Sequence, residues 1–371
     1  MEEVEITIIG AGVIGLAIAS ELSEKYNNIV ILEKHDSFGQ EISSRNSEVI
    51  HTGIYYPHGS LKAKLCIEGL EYLYEICGKY SIAHRKLGKL IVATDQTELI
   101  PLEDLFKKGK TNGVNDLALL DKGDIDKIEP NTNAIAAIYS PHTGIIDSHS
   151  LMKHFLSVAE DKGVIVSYNS EVELIDKENK GYIVGIKQEN YRFLSKILIN
   201  CSGLSSDYIA ALAGIDINKC GYKIHLCKGS YFTYEKSSPV KSLIYPVPHK
   251  NLTGLGVHAT LDLGFRLRFG PDTEYIDSID YNVNFNKKDI FYESALKIIP
   301  GLEKDAFKPD MAGIRPKLQG HGEKTRDFVI TDEAEKGLPS LINLIGIESP
   351  GLTAAPAIAR MVSGIVSEIM N

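Results

Sequence analysis

The chain has 371 residues, 43% of them hydrophobic and 24% charged, with a formal net charge of −9. That length and balance describe an ordinary globular protein with room for two domains and a sizeable core. The acidic balance argues against a nucleic-acid partner and gives no general attraction to anionic lipid, so an anionic substrate would need a local basic pocket.

The first residues, MEEVEITIIGAG, are acidic and run straight into a strand, which predicts no signal peptide ahead of the fold. No apolar run approaches the roughly 18 residues of a membrane span. EITIIGAGVIGLAIASELSEKYNNIVILEK then reads as strand, turn, helix, strand. Gly10, Gly12 and Gly15 permit a tight turn, close approach to a pyrophosphate and close helix–strand packing. The free N–H groups at the helix start face the phosphates, and Glu33 ends the second strand where an acid accepts from ribose hydroxyls. These residues predict a dinucleotide site without choosing between FAD and NAD.

The next stretch, SSRNSEVIHTGIYYPHGSLKAKLC (43–66), packs polar and aromatic residues into a glycine-punctuated loop. GKLIVAT reads as a strand. GVIVSYNSEVELID (163–176) reads as the strand returning Val172 to the adenine end. KILINCSGLSSDYIAALAG (196–214) is a buried strand followed by small residues, Ser202 and Gly203 among them, and a helix. KIHLCKGSYFTY, TGLGVHATL and FRLRFG read as further strands by β-branched and aromatic content. The alternation Leu255, Val257, Ala259, Leu261 puts His258 on the opposite face, toward either a cavity or solvent. MAGIRPKL reads as a strand broken at Pro316, with Arg315 inward near the bend. The face of Lys317 depends on whether that strand continues, so it is left out of the site.

LINLIGIESPGLTAAPAIARMVSGIVSEI (341–369) reads as a strand, a Ser-Pro-Gly turn and a small-residue helix. Its exposed N–H groups suit negative charge on a reduced flavin. A nicotinamide enzyme has no need of this return to the cofactor, so the downstream segments favour FAD. The cysteines Cys66, Cys77, Cys201, Cys220 and Cys227 form no CxxC pair. They predict reduced thiols in a cytoplasmic setting, with no disulfide frame and no metal site.

Ten blocks in order along the chain resemble the FAD-dependent oxidoreductases of the D-amino-acid oxidase and glycerol-3-phosphate dehydrogenase superfamily, and within it the L-2-hydroxyglutarate dehydrogenases. They are NSEVIHTGIYYP, SLKAKLC, GKLIVAT, SPHTGIIDSHSLM, YPVP, GLGVHATLDL, FGPD, GIRPKL, DFVI and GIESPGLT. Three positions depart from some members of the family: Glu48 replaces Gly, Lys228 replaces Arg, and IRPK stands where Val-Arg-Ala-Gln occurs.

The resemblance implies an α/β fold with an FAD-binding Rossmann-like domain of the glutathione-reductase type. With it goes an α+β substrate domain whose sheet is mixed and largely antiparallel. It implies that Ser44, Arg45 and Ser47 hydrogen-bond the pyrophosphate or ribityl chain and that Asn46 fixes the turn. Ser349, Gly351, Leu352 and Thr353 meet the cofactor from the C-terminal turn, and the FAD is expected to be non-covalent. His51 takes the hydroxyl proton of a 2-hydroxy acid, a task suited to neutral imidazole. His258 polarises the hydroxyl or binds a carboxylate. Arg315 anchors a carboxylate, with Lys228, Tyr56 and Tyr245 as further cavity residues.

The FAD-binding domain is expected at 1–85, 145–220 and 310–371, and the substrate domain at 86–144 and 221–309. The implied reaction is oxidation of a 2-hydroxy dicarboxylate, with electrons passed to a quinone or other acceptor. Peripheral contact with the inner face of a membrane stays open. The alternatives are glycerol-3-phosphate oxidation and a flavin-binding protein without turnover.

Overall fold

The computed structural model describes residues 1–187, 191–248 and 256–371. Strand β1 (Glu3–Ile9), helix α1 (Val13–Leu22) and strand β2 (Ile29–Leu32) follow one another at the N-terminus. Residues 6–9 of β1 are buried on both faces, as expected of a strand covered on both sides by other layers. The turn after it requires glycine. Gly10 has φ +106°, and a Cβ there would lie 2.6 Å from the carbonyl oxygen of Cys201. A Cβ on Gly15 would lie 2.0 Å from the carbonyl oxygen of Gly10, so this glycine lets α1 rest on the turn.

Downstream come α2 (Leu61–Lys79), β3 (Lys89–Ala93), α3 (Ser148–Asp161), β4 (Tyr191–Asn200) and β5 (His225–Tyr234). They are followed by β6 (Leu243–Pro246), β7 (His258–Leu261), β8 (Phe307–Lys317), β9 (Leu338–Ile345) and α4 (Gly351–Met370).

The first sheet has eight strands and a parallel centre. β1 lies between β2 and β4, and the end of β4 pairs with β9. An antiparallel hairpin, Val172–Glu178 with Gly181–Ile186, extends it beside β4, and Ile165–Ser167 lies beyond β2. Helices α1 to α4 share one core with this sheet, built on residues such as Leu16, Ile31, Leu73, Leu151 and Ile342.

Helix α4 departs from the reading that no segment approaches a membrane span. It has 20 residues and a mean hydropathy of 1.2, enough by length and composition to cross a membrane. Its apolarity is used inside the fold, where Ala354, Ala355, Ile358, Val362 and Val366 are buried. Its approach to α2 is close: a Cβ on Gly69 would lie 2.3 Å from the carbonyl oxygen of Thr353.

The second sheet has nine strands and is largely antiparallel, with one parallel pair, β3 with β6. β6 continues to β7, and β5 carries β8 along its length. Phe232, Phe269, Phe291 and Phe307 fill the core beneath it. A small third sheet joins Val49–Ile50, Gly144–Ile146 and His84–Arg85.

The first sheet takes strands from 3–32, 165–200 and 329–345, and the second from 89–140 and 225–317. The boundary expected at 310 falls inside β8, which pairs with β5 from Phe307↔Tyr234 to Lys317↔His225. Pro316 does not break this strand. β8 is paired with β5 alone among the described residues, and proline is tolerated in such an edge position. In the segment read as TGLGVHATL, residues 253–255 lie outside the described residues, as does Leu255 of the alternation, and β7 begins at His258.

Candidate active site

A cavity runs from the carboxyl ends of β1 and β2 to the face of the second sheet. At its nucleotide end lie Gly10, Gly12, Glu33, Val172, Ser202 and Gly203. Glu33 is buried and held in place by backbone donors. Its carboxylate accepts from the N–H of Ala11 at 2.8 Å and from that of His35 at 2.9 Å. Gly15 does not line the cavity, because its role is the helix–turn contact described above.

The loop after Glu41 differs from the sequence reading by one residue. Ser43 lines the cavity, and its Oγ accepts from the N–H of Val13 at the start of α1, at 3.0 Å. Ser44 is exposed instead and donates to the carbonyl of Glu41 at 3.3 Å. Arg45, Asn46 and Ser47 line the cavity. Asn46 ties the turn together, donating to the carbonyls of Ile42 and Ser43 and accepting from the N–H of Glu48. Glu48 has φ +55°, in the left-handed region where glycine is at ease. Its carboxylate accepts from the N–H and hydroxyl of Ser148 at the start of α3. β8 presses on the same loop, and a Cβ on Gly313 would lie 2.2 Å from the carbonyl oxygen of Arg45.

His51, Tyr231, Tyr245, His258, Arg315 and Glu348 line the other end. The backbone N–H of His51 donates to Thr353 Oγ1 at 3.0 Å, which ties this loop to the first turn of α4. Thr353 therefore stands behind the wall rather than in it, while Ser349, Gly351 and Leu352 line the cavity. The Nδ1 atom of His51 is buried with no hydrogen-bond partner among the described residues. Burial first, and the Lys89 ammonium second, pull the His51 imidazolium down to about 3, so the ring is neutral at neutral pH.

His258 is buried on β7, not on a solvated face, and its ring stacks on Tyr245 with centroids 3.6 Å apart. Arg315 lies opposite Cys227 in the ladder. Its Nε and Nη2 donate to the carbonyls of Cys227, Lys228 and Asp272, the last at 2.7 Å. No bond engages Nη1 among the described residues, so that edge can meet an acid group.

Lys228 does not face the cavity. Gly229 and Tyr231 line it, and alternation along β5 turns Lys228 to the other side, where its Nζ meets Asp280 Oδ2 at 2.5 Å. Tyr56 stands outside the lining as well, with its hydroxyl 3.3 Å from Ser349 Oγ.

Two wall residues besides Ser43, and one group behind the wall, escaped the sequence reading. Tyr231 enters through the same alternation that removes Lys228. Glu348 carries a buried ion-pair cluster, with Lys62 Nζ at 2.9 Å and Lys317 Nζ at 3.0 Å. Two cations against one carboxylate leave this wall with a net positive charge. Lys89, read only as part of a strand, is buried beside Tyr55 and Tyr245.

Residues 5–365 match the family described as "FAD dependent oxidoreductase". The chain belongs to that family. It is 37% identical over 404 residues to the mitochondrial L-2-hydroxyglutarate dehydrogenase of Arabidopsis thaliana, covering 98% of this chain and 83% of that one. It is 33% identical over 371 residues to a glycerol 3-phosphate dehydrogenase of Caloramator mitchellensis, covering 98% and 74%. Among solved structures, the dithionite-reduced L-alpha-glycerophosphate oxidase of Mycoplasma pneumoniae, with FAD bound, has a TM-score of 0.86 at 29% identity. The match covers 99% of this chain and 95% of that one. The plant relative is named a mitochondrial enzyme, in contrast to the cytoplasmic setting expected from thiol usage.

The residues of this FAD-dependent oxidoreductase fit its cofactor. Gly10 and Gly12 leave a cradle that side chains would fill, since a Cβ on Gly12 would lie 2.9 Å from Ser43 Oγ. Glu33 lies at one end of this cavity, and the start of α4 and the Glu348 cluster lie at the other. Bound flavin supplies the acceptor for a hydride.

Proposed function

We propose that this enzyme oxidises L-2-hydroxyglutarate to 2-oxoglutarate and passes the electrons to a quinone or other acceptor. The observation that supports the reading best is the pairing, in one cavity, of a buried neutral imidazole with an unsatisfied nitrogen and a guanidinium with a free edge. Whole-length identity to L-2-hydroxyglutarate dehydrogenases supports the same substrate.

In this scheme the α-carbon loses a hydride to the flavin and the hydroxyl loses its proton to His51. Both electrons leave with the hydride and the carbon–oxygen bond becomes a carbonyl. Neutral imidazole is the form that accepts a proton, and an anionic substrate beside the ring offsets the Lys89 charge that, after burial, lowers its basicity. The Nη1 edge of Arg315 holds a substrate carboxylate. Tyr245 and His258, stacked together, form the wall that orients the carbon chain. Arg45, Asn46, Ser47, Ser349, Gly351 and Leu352 hold the cofactor, as do Gly10, Gly12, Glu33, Val172, Ser202 and Gly203. On this reading the first sheet with its helices forms the FAD-binding domain and the second sheet forms the substrate domain.

Anaerobic addition of L-2-hydroxyglutarate should bleach the flavin absorbance, and the D-enantiomer should not. His51→Ala should slow bleaching by roughly 100- to 10,000-fold while FAD content stays the same. Bleaching at the wild-type rate in that variant would remove His51 from the mechanism. A second reading, glycerol-3-phosphate oxidation, has support from the Caloramator mitchellensis and Mycoplasma pneumoniae relatives. Bleaching by glycerol-3-phosphate and not by the hydroxy acid would establish it instead.

A further inference from the structure

We propose that Lys89 is a positioning residue that makes this site select dianionic substrates, with its ammonium held one aromatic ring behind the cavity wall. The inference rests on the substrate reading above and extends it to the second carboxylate. Lys89 lies on β3 and is only 1% exposed. Its Nζ sits 4.8 Å from the centroid of the Tyr55 ring and 4.9 Å from that of Tyr245. Among the described residues it has no carboxylate at ion-pair distance and no hydrogen-bond acceptor.

A buried cation without an anion is costly, and two aromatic faces offset only part of that cost. Burial accordingly draws Lys89 down to about 7. Other buried lysines of this chain are compensated, as Lys62 is by Glu348 and Lys228 by Asp280. Tyr245 is itself part of the cavity wall, so an anion lodged against that wall lies one ring away from the ammonium. Arg315 offers one carboxylate its free edge, and Lys89 supplies the counter-charge for the other.

The titratable neighbours make this separable. Cys66 faces Lys89 from α2 and burial pushes its thiol up to about 12. Tyr55 and Tyr56, from the loop, are raised well above 10, and burial raises Tyr245 on β6 as well. His51 is lowered to about 3. His258, stacked on Tyr245 from β7, is the remaining group whose charge must be controlled for.

The test uses FAD-loaded enzyme and the perturbation of its flavin spectrum by 2-oxoglutarate, a dianion, and 2-oxobutyrate, a monoanion, between pH 5.5 and 9. Wild-type affinity for 2-oxoglutarate should fall as pH rises above about 7, while that for 2-oxobutyrate changes little. Lys89→Met should weaken 2-oxoglutarate binding at pH 6.5 by roughly 10- to 30-fold, as expected for a unit charge one ring distant at an effective dielectric of about 20. It should abolish that pH dependence and leave 2-oxobutyrate unaffected. Lys89→Arg should restore the dianion preference without the loss above pH 7, and in turnover Lys89→Met should raise KM far more than it lowers kcat.

A Lys89→Met enzyme that keeps both the preference and the pH profile overturns the proposal and points to His258. If that variant fails to retain FAD, the wild-type profile decides alone, and a flat 2-oxoglutarate response from pH 6 to 9 overturns it. No binding of 2-oxoglutarate to the wild type, with no bleaching by L-2-hydroxyglutarate, overturns the substrate reading and this inference together. Bleaching with a flat profile overturns this inference only.

Discussion

Replacing Glu348 by Gln tests the buried ion-pair cluster that joins α2, β8 and the turn before α4. Burial opposes ionisation of this carboxyl, yet Lys62 and Lys317 outweigh it and bring the group from 4.5 down to about 2. At about 1.4 kcal/mol per pH unit, that difference corresponds to about 3 kcal/mol of stability. Because the folded value lies below the unfolded one, the contribution is complete above about pH 4.5 and is lost as pH falls through the folded value near 2. The variant also leaves two lysines buried around a neutral amide, a change that typically costs about 3–5 kcal/mol. Urea unfolding followed by far-UV circular dichroism should therefore show Glu348→Gln destabilised by about 3 kcal/mol at pH 7, with the deficit shrinking below pH 4.5. Adding Lys62→Met should recover part of the loss, since it removes one uncompensated charge and leaves an apolar side chain in its place. Equal stability of wild type and variant at pH 7, or a deficit that stays constant to pH 3, would refute the reasoning.

Two further substitutions test the cofactor loop. Ser43→Ala should cost about 1 kcal/mol and weaken FAD retention, because Val13 loses its hydroxyl acceptor. Ser44→Ala, one residue later and exposed, should leave thermal stability and flavin content unchanged. Gly313→Ala should lower the unfolding free energy by about 1–3 kcal/mol and release FAD on dialysis, since its methyl group must displace the carbonyl of Arg45. Wild-type flavin content in that variant would show that the loop yields without effect on the cofactor.

The amino-acid sequence by itself determined what depends on neighbouring residues. Strand, Gly10-x-Gly12-x-x-Gly15, helix, strand and Glu33 are consecutive, so periodicity and glycine spacing expose the nucleotide site. The Ser-Pro-Gly turn before a small-residue helix is equally local. His51 was legible through the resemblance of its block, NSEVIHTGIYYP, to the family. Tertiary structure decided whatever turns on which face a residue presents or on which distant residue meets it. Ser43 and Ser44 differ by one step in a tight turn, and only the approach of α1 selects the first. Lys228 and Tyr231 exchange roles because the antiparallel ladder sets the phase of β5, and a one-residue change of phase moves every side chain to the other face. Lys317 became readable only when β8 was seen to run on through Pro316 to meet Glu348. Lys62 pairs with a residue 286 positions away, and no local pattern carries a contact of that range. Lys89 looks like the polar start of a strand until the second sheet closes around it. A sequence shows where charges lie along the chain, whereas burial and the choice of counter-ion belong to the packed whole.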